Sequence, residues 1–255
     1  MISDDEVSQL FRKKLEVPGV FGGAGSLQIF RGKPLYLVDN MPPGGCARHK
    51  KIFSKFNVIP EYCFDCYKIL IMPHTVVELF KLLMVFEELL LPNNNNRKCM
   101  VEGRPDCTGT YKGFVYCRGH EEGKEVHDLM QRMVADHVSP SIPVTLTRGC
   151  SEFSRAHPEF GQIQPDKAVM EYPKAWKMHE DFVDGVSIWP DRPVTVNAYI
   201  PSGARGAYPP AEIFAMQYWL RYAATIGDSS YLKISGRTLP SLPQLKRPSF
   251  VSVDI

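Results

Sequence analysis

Four side chains in the first third of the chain have types and spacing that could hold a metal. Cys46 and His49 are separated by two residues, as are Cys63 and Cys66, and thirteen residues lie between the pairs. Two-residue spacing lets two side chains of one tight turn reach the same ion. Two such turns supply the four thiolate and imidazole ligands of a tetrahedral zinc. Gly44 and Gly45 before the first pair allow the backbone to bend so that its amides face the sulfurs. Four protein ligands leave no open position for water, so such a zinc is structural and clamps the N-terminal segment. A histidine among the ligands, and spacing unlike the common cluster patterns, place an iron–sulfur cluster second.

Three further cysteines, Cys99, Cys107 and Cys117, form a second group. A hairpin turning at about residue 107 sets Cys99 and Cys117 nearly opposite each other on neighbouring strands. They then complete a metal site, form a redox pair, or pack as buried apolar residues, and the sequence leaves these open. The seventh cysteine, Cys150, follows Arg148 at a strand end, where a thiolate could be stabilised. SGARGAY at 202–208 joins a strand to a helix that begins near Pro210, so Arg205 is a candidate anion-binding residue. GVFGGAG at 19–25 is a turn, since it precedes a hairpin and no Lys-Ser/Thr comes after it.

TYKGFVYC at 110–117 alternates aromatic and small residues behind a lysine. Lys112, Gly113, Phe114 and Tyr116 resemble part of the third-strand motif of the RNA-recognition motif family, in which aromatics on a sheet face stack on bases. That resemblance covers about eight residues and implies single-stranded nucleic acid as a partner, with Lys112, Phe114 and Tyr116 as contacts.

The elements that must position these residues are set by periodicity. Residues 3–15 read as a short helix, and LQIF-RGKP-LYLV reads as a hairpin. CYKILIM is a strand led directly by the Cys63/Cys66 pair. Pro73 and Thr75 open an apolar helix, 76–91, that stops at Pro92 and the run Asn93–Asn96. Strands 98–104 and 110–117, a helix from 121 to 135 and a strand at 142–148 complete the order β-α-β-β-α-β, that of a ferredoxin-like unit. After Cys150 the chain is rich in Pro, aromatics and acids, with a strand at 194–200, a helix from Pro210 to Gly227 and a strand at 231–235. The fold class is therefore α+β. Residues 1–61 form a hairpin and metal-knuckle segment, 62–150 the ferredoxin-like unit, 151–236 an α/β region and 237–255 a proline-rich extended tail.

Helix 76–91 is apolar over most of its circumference, so a second surface must cover it. The C-terminal region, a partner protein or a second copy of the chain could do so. The formal charge of the 255 residues is only +2, which excludes a duplex binder acting mainly by phosphate neutralisation. Arg48, Lys50, Lys51 and Lys55 still form a local basic patch beside the cysteines. No apolar run spans a bilayer, the N-terminus opens with acids, and seven cysteines suit a reducing compartment, so the expectation is a soluble cytoplasmic protein. Three function classes remain. One is a zinc-stabilised module for single-stranded nucleic acid. Another is an enzyme with its site between the ferredoxin-like unit and the C-terminal region, using Arg205, Cys150 or His157. The third is a scaffold that docks through helix 76–91 and the proline-rich tail.

Overall fold

The computed structural model describes residues 28–32, 41–103, 107–163, 169–189 and 208–237. The expected helix at 3–15, the second half of the first hairpin, the strand at 194–200, Arg205 and the tail lie outside them. The described chain is mixed α+β around one five-stranded antiparallel sheet. Its strands are β1 (Gln28–Arg31), β2 (Cys66–Ile71), β3 (Arg97–Val101), β4 (Tyr111–Arg118) and β5 (Val144–Arg148), in the order β1-β3-β4-β2-β5. The helices are α1 (Gly45–Phe56), α2 (Val76–Glu88), α3 (His120–His137), α4 (Ser151–Ala156), α5 (Lys177–Val186), α6 (Pro210–Ile226) and α7 (Leu232–Ser235). Residues 231–235, expected as a strand, instead close a 3-10 turn and form α7. Among the described residues after Arg148 there is no strand.

One sheet face is the core. Alternation along β2 buries Tyr67, Ile69 and Ile71, which meet Val115 and Cys117 of β4, Cys99 and Val101 of β3, and the apolar sides of α2 and α3. Helix α2 starts where the sequence predicts. Thr75 Oγ1 accepts from the Glu78 N–H, and Glu78 Oε2 accepts from the Thr75 N–H, a reciprocal cap. Its other end is closed by Arg97, fully buried, whose guanidinium donates to the carbonyls of Phe86 and Leu89. The second cover expected for this helix comes from its own chain. Trp219 of α6 is fully buried and meets Phe80 edge-on, with ring centroids 5.6 Å apart.

The observed register corrects one sequence expectation. Arg97 faces Val115 and Cys99 faces Gly113, so Cys99 is not opposite Cys117. Cys99 and Cys117 are core residues, both nearly inaccessible. Gly113, which resembled a motif glycine, has a packing reason of its own. A Cβ there would sit 2.4 Å from Leu82 Cδ2 and 3.4 Å from Phe86. Helix α2 therefore rests directly on the backbone of β4. Gly113→Ala should lower stability by about 1–3 kcal/mol through overpacking, measured as a shift in the denaturant midpoint at constant slope.

The segment expected to be a metal-binding loop is also different. Gly44 (φ 79°) and Gly45 (φ 50°) do make the bend, but they lead into the twelve-residue helix α1. Cys46 and His49 are thus one turn apart on a helix rather than neighbours in a tight loop. A Cβ on Gly44 would lie 2.4 Å from the Trp189 ring, so glycine is required there by space as well as by dihedral angle.

Candidate functional site

The other sheet face carries the residues that β2 and β4 turn away from the helices. Register aligns Phe30, Lys98, Phe114, Leu70 and Thr145 in one row across all five strands. The next row holds Tyr116, Lys68 and Thr147. Phe114 and Tyr116 are stacked, with centroids 6.3 Å apart at 27°. The Lys98 Nζ lies 5.2 Å from the Phe114 centroid and the Lys68 Nζ 5.6 Å from it, while Lys98 also stands 5.7 Å from Phe30. Phe30 is 45% exposed, and Phe114, Tyr116, Lys68 and Lys98 are all partly open. The face is an aromatic platform with ammonium groups set between its rings.

Lys112 stands apart from it. It is buried, and its Nζ pairs with Glu102 at 3.2 Å. The cation that the motif resemblance assigned to nucleic acid is committed inside the protein. Lys68 and Lys98 hold the positions flanking the aromatics.

At the end of the platform the sheet opens into a cavity of about 690 Å³. Helix α1 contributes Cys46, His49 and Lys50. The 3-10 turn Glu61–Asp65 contributes Tyr62 and Cys63, and β2 contributes Cys66 and Lys68. Tyr116, Cys117 and Arg118 enter from β4, the asparagine run from the loop before β3, and Cys150 from the start of α4. Two backbone bonds hold these strand ends together, Gly149 N–H to Cys66 O at 2.7 Å and Gly119 N–H to Asp65 O at 2.8 Å. All four residues expected as zinc ligands therefore line one cavity. No three His, Cys, Asp or Glu side chains among the described residues form a group that could hold a metal ion.

Burial controls the chemistry of the thiols. It pushes Cys63 and Cys150 above the ordinary thiol range and Cys66 up to about 12, and each neighbouring thiolate would raise them further; Cys46 shifts the same way although its side chain is exposed. Lys68 and Lys50 oppose this at Cys150, as Lys50 does at Cys46 and Lys68 at Cys66. Burial therefore favours the protonated thiol at Cys150 over the nucleophilic thiolate. Arg148 does not correct this, since its guanidinium donates to the carbonyls of Phe64 and Met170 and stacks between Phe64 and Phe160. His157 is likewise engaged, with Nε2 2.8 Å from Asn57 O and its ring against Trp176.

His49 is 3% exposed and stacked on Tyr62 at 5.4 Å. Burial, with Arg48 and Arg118 adding to it, lowers its pKa to about 4, so the imidazole is neutral. Its Nε2 is buried with no hydrogen-bond partner, as are the side-chain oxygens of Asn95 and Asn96. These orphans are residues of the cavity wall, and the sequence offered no sign that the asparagine run belonged to a site. Phe30, Lys68 and Lys98 were equally missed. Their signal was the alternation of the strands, which could be used only once the strand order was known.

Comparison of the chain with family models, with curated proteins and with solved structures found no match. No described helix is long and apolar enough to cross a membrane.

Proposed function

We propose that this protein binds single-stranded nucleic acid across the open face of its sheet. The observation that supports the reading is the row Phe30, Lys98, Phe114, with Tyr116 and Lys68 alongside it. Exposed bases stack on such aromatics with little regard to sequence, and ammonium groups between the rings meet the phosphates that connect those bases. The element order from 66 to 148 is β-α-β-β-α-β, with strand order β3-β4-β2-β5, all neighbours antiparallel, and α2 and α3 over one face. We read this unit as ferredoxin-like, an arrangement that leaves the opposite face free for a ligand.

The modest net charge fits a single-strand binder better than a duplex binder, because stacking carries affinity that phosphate neutralisation alone would otherwise have to supply. Retention of a short labelled RNA or DNA strand should fall with salt. Phe114→Ala should weaken binding by about 1–3 kcal/mol, the usual contribution of one stacked base. Lys68→Ala should reduce the salt slope by about one unit. Lys112→Ala should leave the slope unchanged once stability is matched. Binding that ignores salt, or Phe114→Ala binding like the parent, would remove this reading.

A further inference from the structure

We propose that Cys46, Cys63, Cys66 and Cys150 ligate an iron–sulfur cluster in the cavity at the end of the sheet. The four thiols come from three separate places, helix α1, the turn leading into β2, and the residue that caps α4, yet all line the same wall. In a reducing compartment such convergence indicates metal ligation rather than disulfides. The sequence favours zinc by a histidine among the ligands and by spacing unlike the common cluster patterns. With Cys150 in the place of that histidine all four donors are thiolates, a set that such clusters take and that structural zinc takes as well.

Geometry separates the two metals. One zinc ion draws all its sulfurs to within about 2.3 Å of a single point. No three of these thiols form a group that could hold a single metal ion, yet they stand near enough to one another for each charged sulfur to raise its neighbours' pKa. A cluster presents separate irons, one corner to each cysteine, and so takes ligands spread around a volume. On ligation each cysteine gives its thiol proton to solvent and a sulfur lone pair to one iron. The resulting negative charge faces Lys50 and Lys68, both on the cavity wall.

Two other residues of the wall define the limits of the set. Cys117 points to the core side of the sheet, is 3% exposed, and has Asn95 Nδ2 at 3.8 Å from its sulfur. It is not a ligand. His49 lies a turn from Cys46 with a buried, unpartnered Nε2. It is placed to hydrogen-bond to the cluster or its sulfurs, the kind of outer contact that tunes such a centre.

The full chain, purified without oxygen, should carry iron and acid-labile sulfide and show visible charge-transfer absorption. Cys150→Ser and Cys46→Ser should lose both elements, and Cys117→Ser should keep them. Because a serine variant can fail to fold, the native chain supplies a second readout. Cys46 and Cys150 should resist alkylation until the iron is removed by chelation, as mapped by mass spectrometry, while Cys107 reacts equally before and after. Bound zinc without sulfide would overturn the proposal. So would iron retained by a folded Cys150→Ser chain, or alkylation of Cys46 and Cys150 that does not respond to chelation. None of these readouts involves nucleic acid, so this proposal and the sheet-face reading can fail separately.

Discussion

Replacing Arg48 by methionine should destabilise the protein by about 3–5 kcal/mol, the usual result of leaving one half of a buried ion pair alone. Arg48 lies on α1 between Cys46 and His49 and is 3% exposed. Its Nη2 donates to Glu180 at 2.8 Å and to Asp184 at 2.7 Å, and its Nε donates to Asp184 at 2.7 Å. Glu180 is itself 2% exposed and also accepts from the Glu61 N–H and the Tyr172 hydroxyl. Removal of the guanidinium therefore strands a carboxylate that the fold cannot hydrate.

The partners are not equal. Asp184 is substantially open to solvent, so its share of the attraction is screened and small. Glu180 carries the effect. A second change, Glu180→Gln, should return part of the lost stability in the Arg48→Met background, since the amide oxygen still accepts from Glu61 and Tyr172 without a buried charge. Denaturant midpoints of the four chains in that cycle measure the coupling. Equal losses for Arg48→Met and the double variant would show that Glu180 is hydrated after all. The same contact docks α5 on α1, and α1 carries Cys46.

How much of this could be read from the chain depends on the range of each signal. Helix α2 was legible because Thr75, Glu78 and the apolar run are local, and its limits were found within a few residues. The order from 66 to 148 was legible for the same reason. Helix α1 was not, because Cys46, His49 and the glycines suggested a loop, while the apolar cluster of Ile52 includes Val183, far along the chain. The platform was half legible. Phe114 and Tyr116 announce themselves by alternation, but Lys68, Lys98 and Phe30 join them only through strand pairing. Cys150 was visible as a cysteine and invisible as part of a set, because roughly a hundred residues of chain separate it from Cys46 and nothing in the spacing indicates that β5 returns beside β2. Lys112 shows the reverse error, since a short motif cannot reveal that Glu102 lies across the turn.

The second large effect concerns Asp228, the residue after the glycine that ends α6. Its Oδ2 accepts from the Val76 N–H at 2.7 Å and from the Tyr111 hydroxyl at 2.7 Å, and its Oδ1 accepts from the Ser230 N–H at 3.0 Å. One carboxylate thus ties the C-terminal helices to the first turn of α2 and to β4. Val76 is at a helix N-terminus, where a negative charge is favoured. Asp228→Ala leaves these donors without their acceptor and should reduce stability by about 2–4 kcal/mol, from hydrogen bonds to a charged group. Burial raises the carboxyl pKa, but the hydrogen bonds from Ser230, Tyr111 and Val76 outweigh it and hold the folded-state value below the ordinary 3.8. The unfolded chain therefore binds the proton more readily. The stabilisation is fully present above about pH 4 and is lost as pH falls through the lower folded-state value. Asp228→Asn should accordingly be less stable than the parent at pH 7, and the gap should narrow as both are taken to acid. A gap of constant size from about pH 7 to about pH 2 would mean that the charge contributes nothing and that only the shape of the side chain matters.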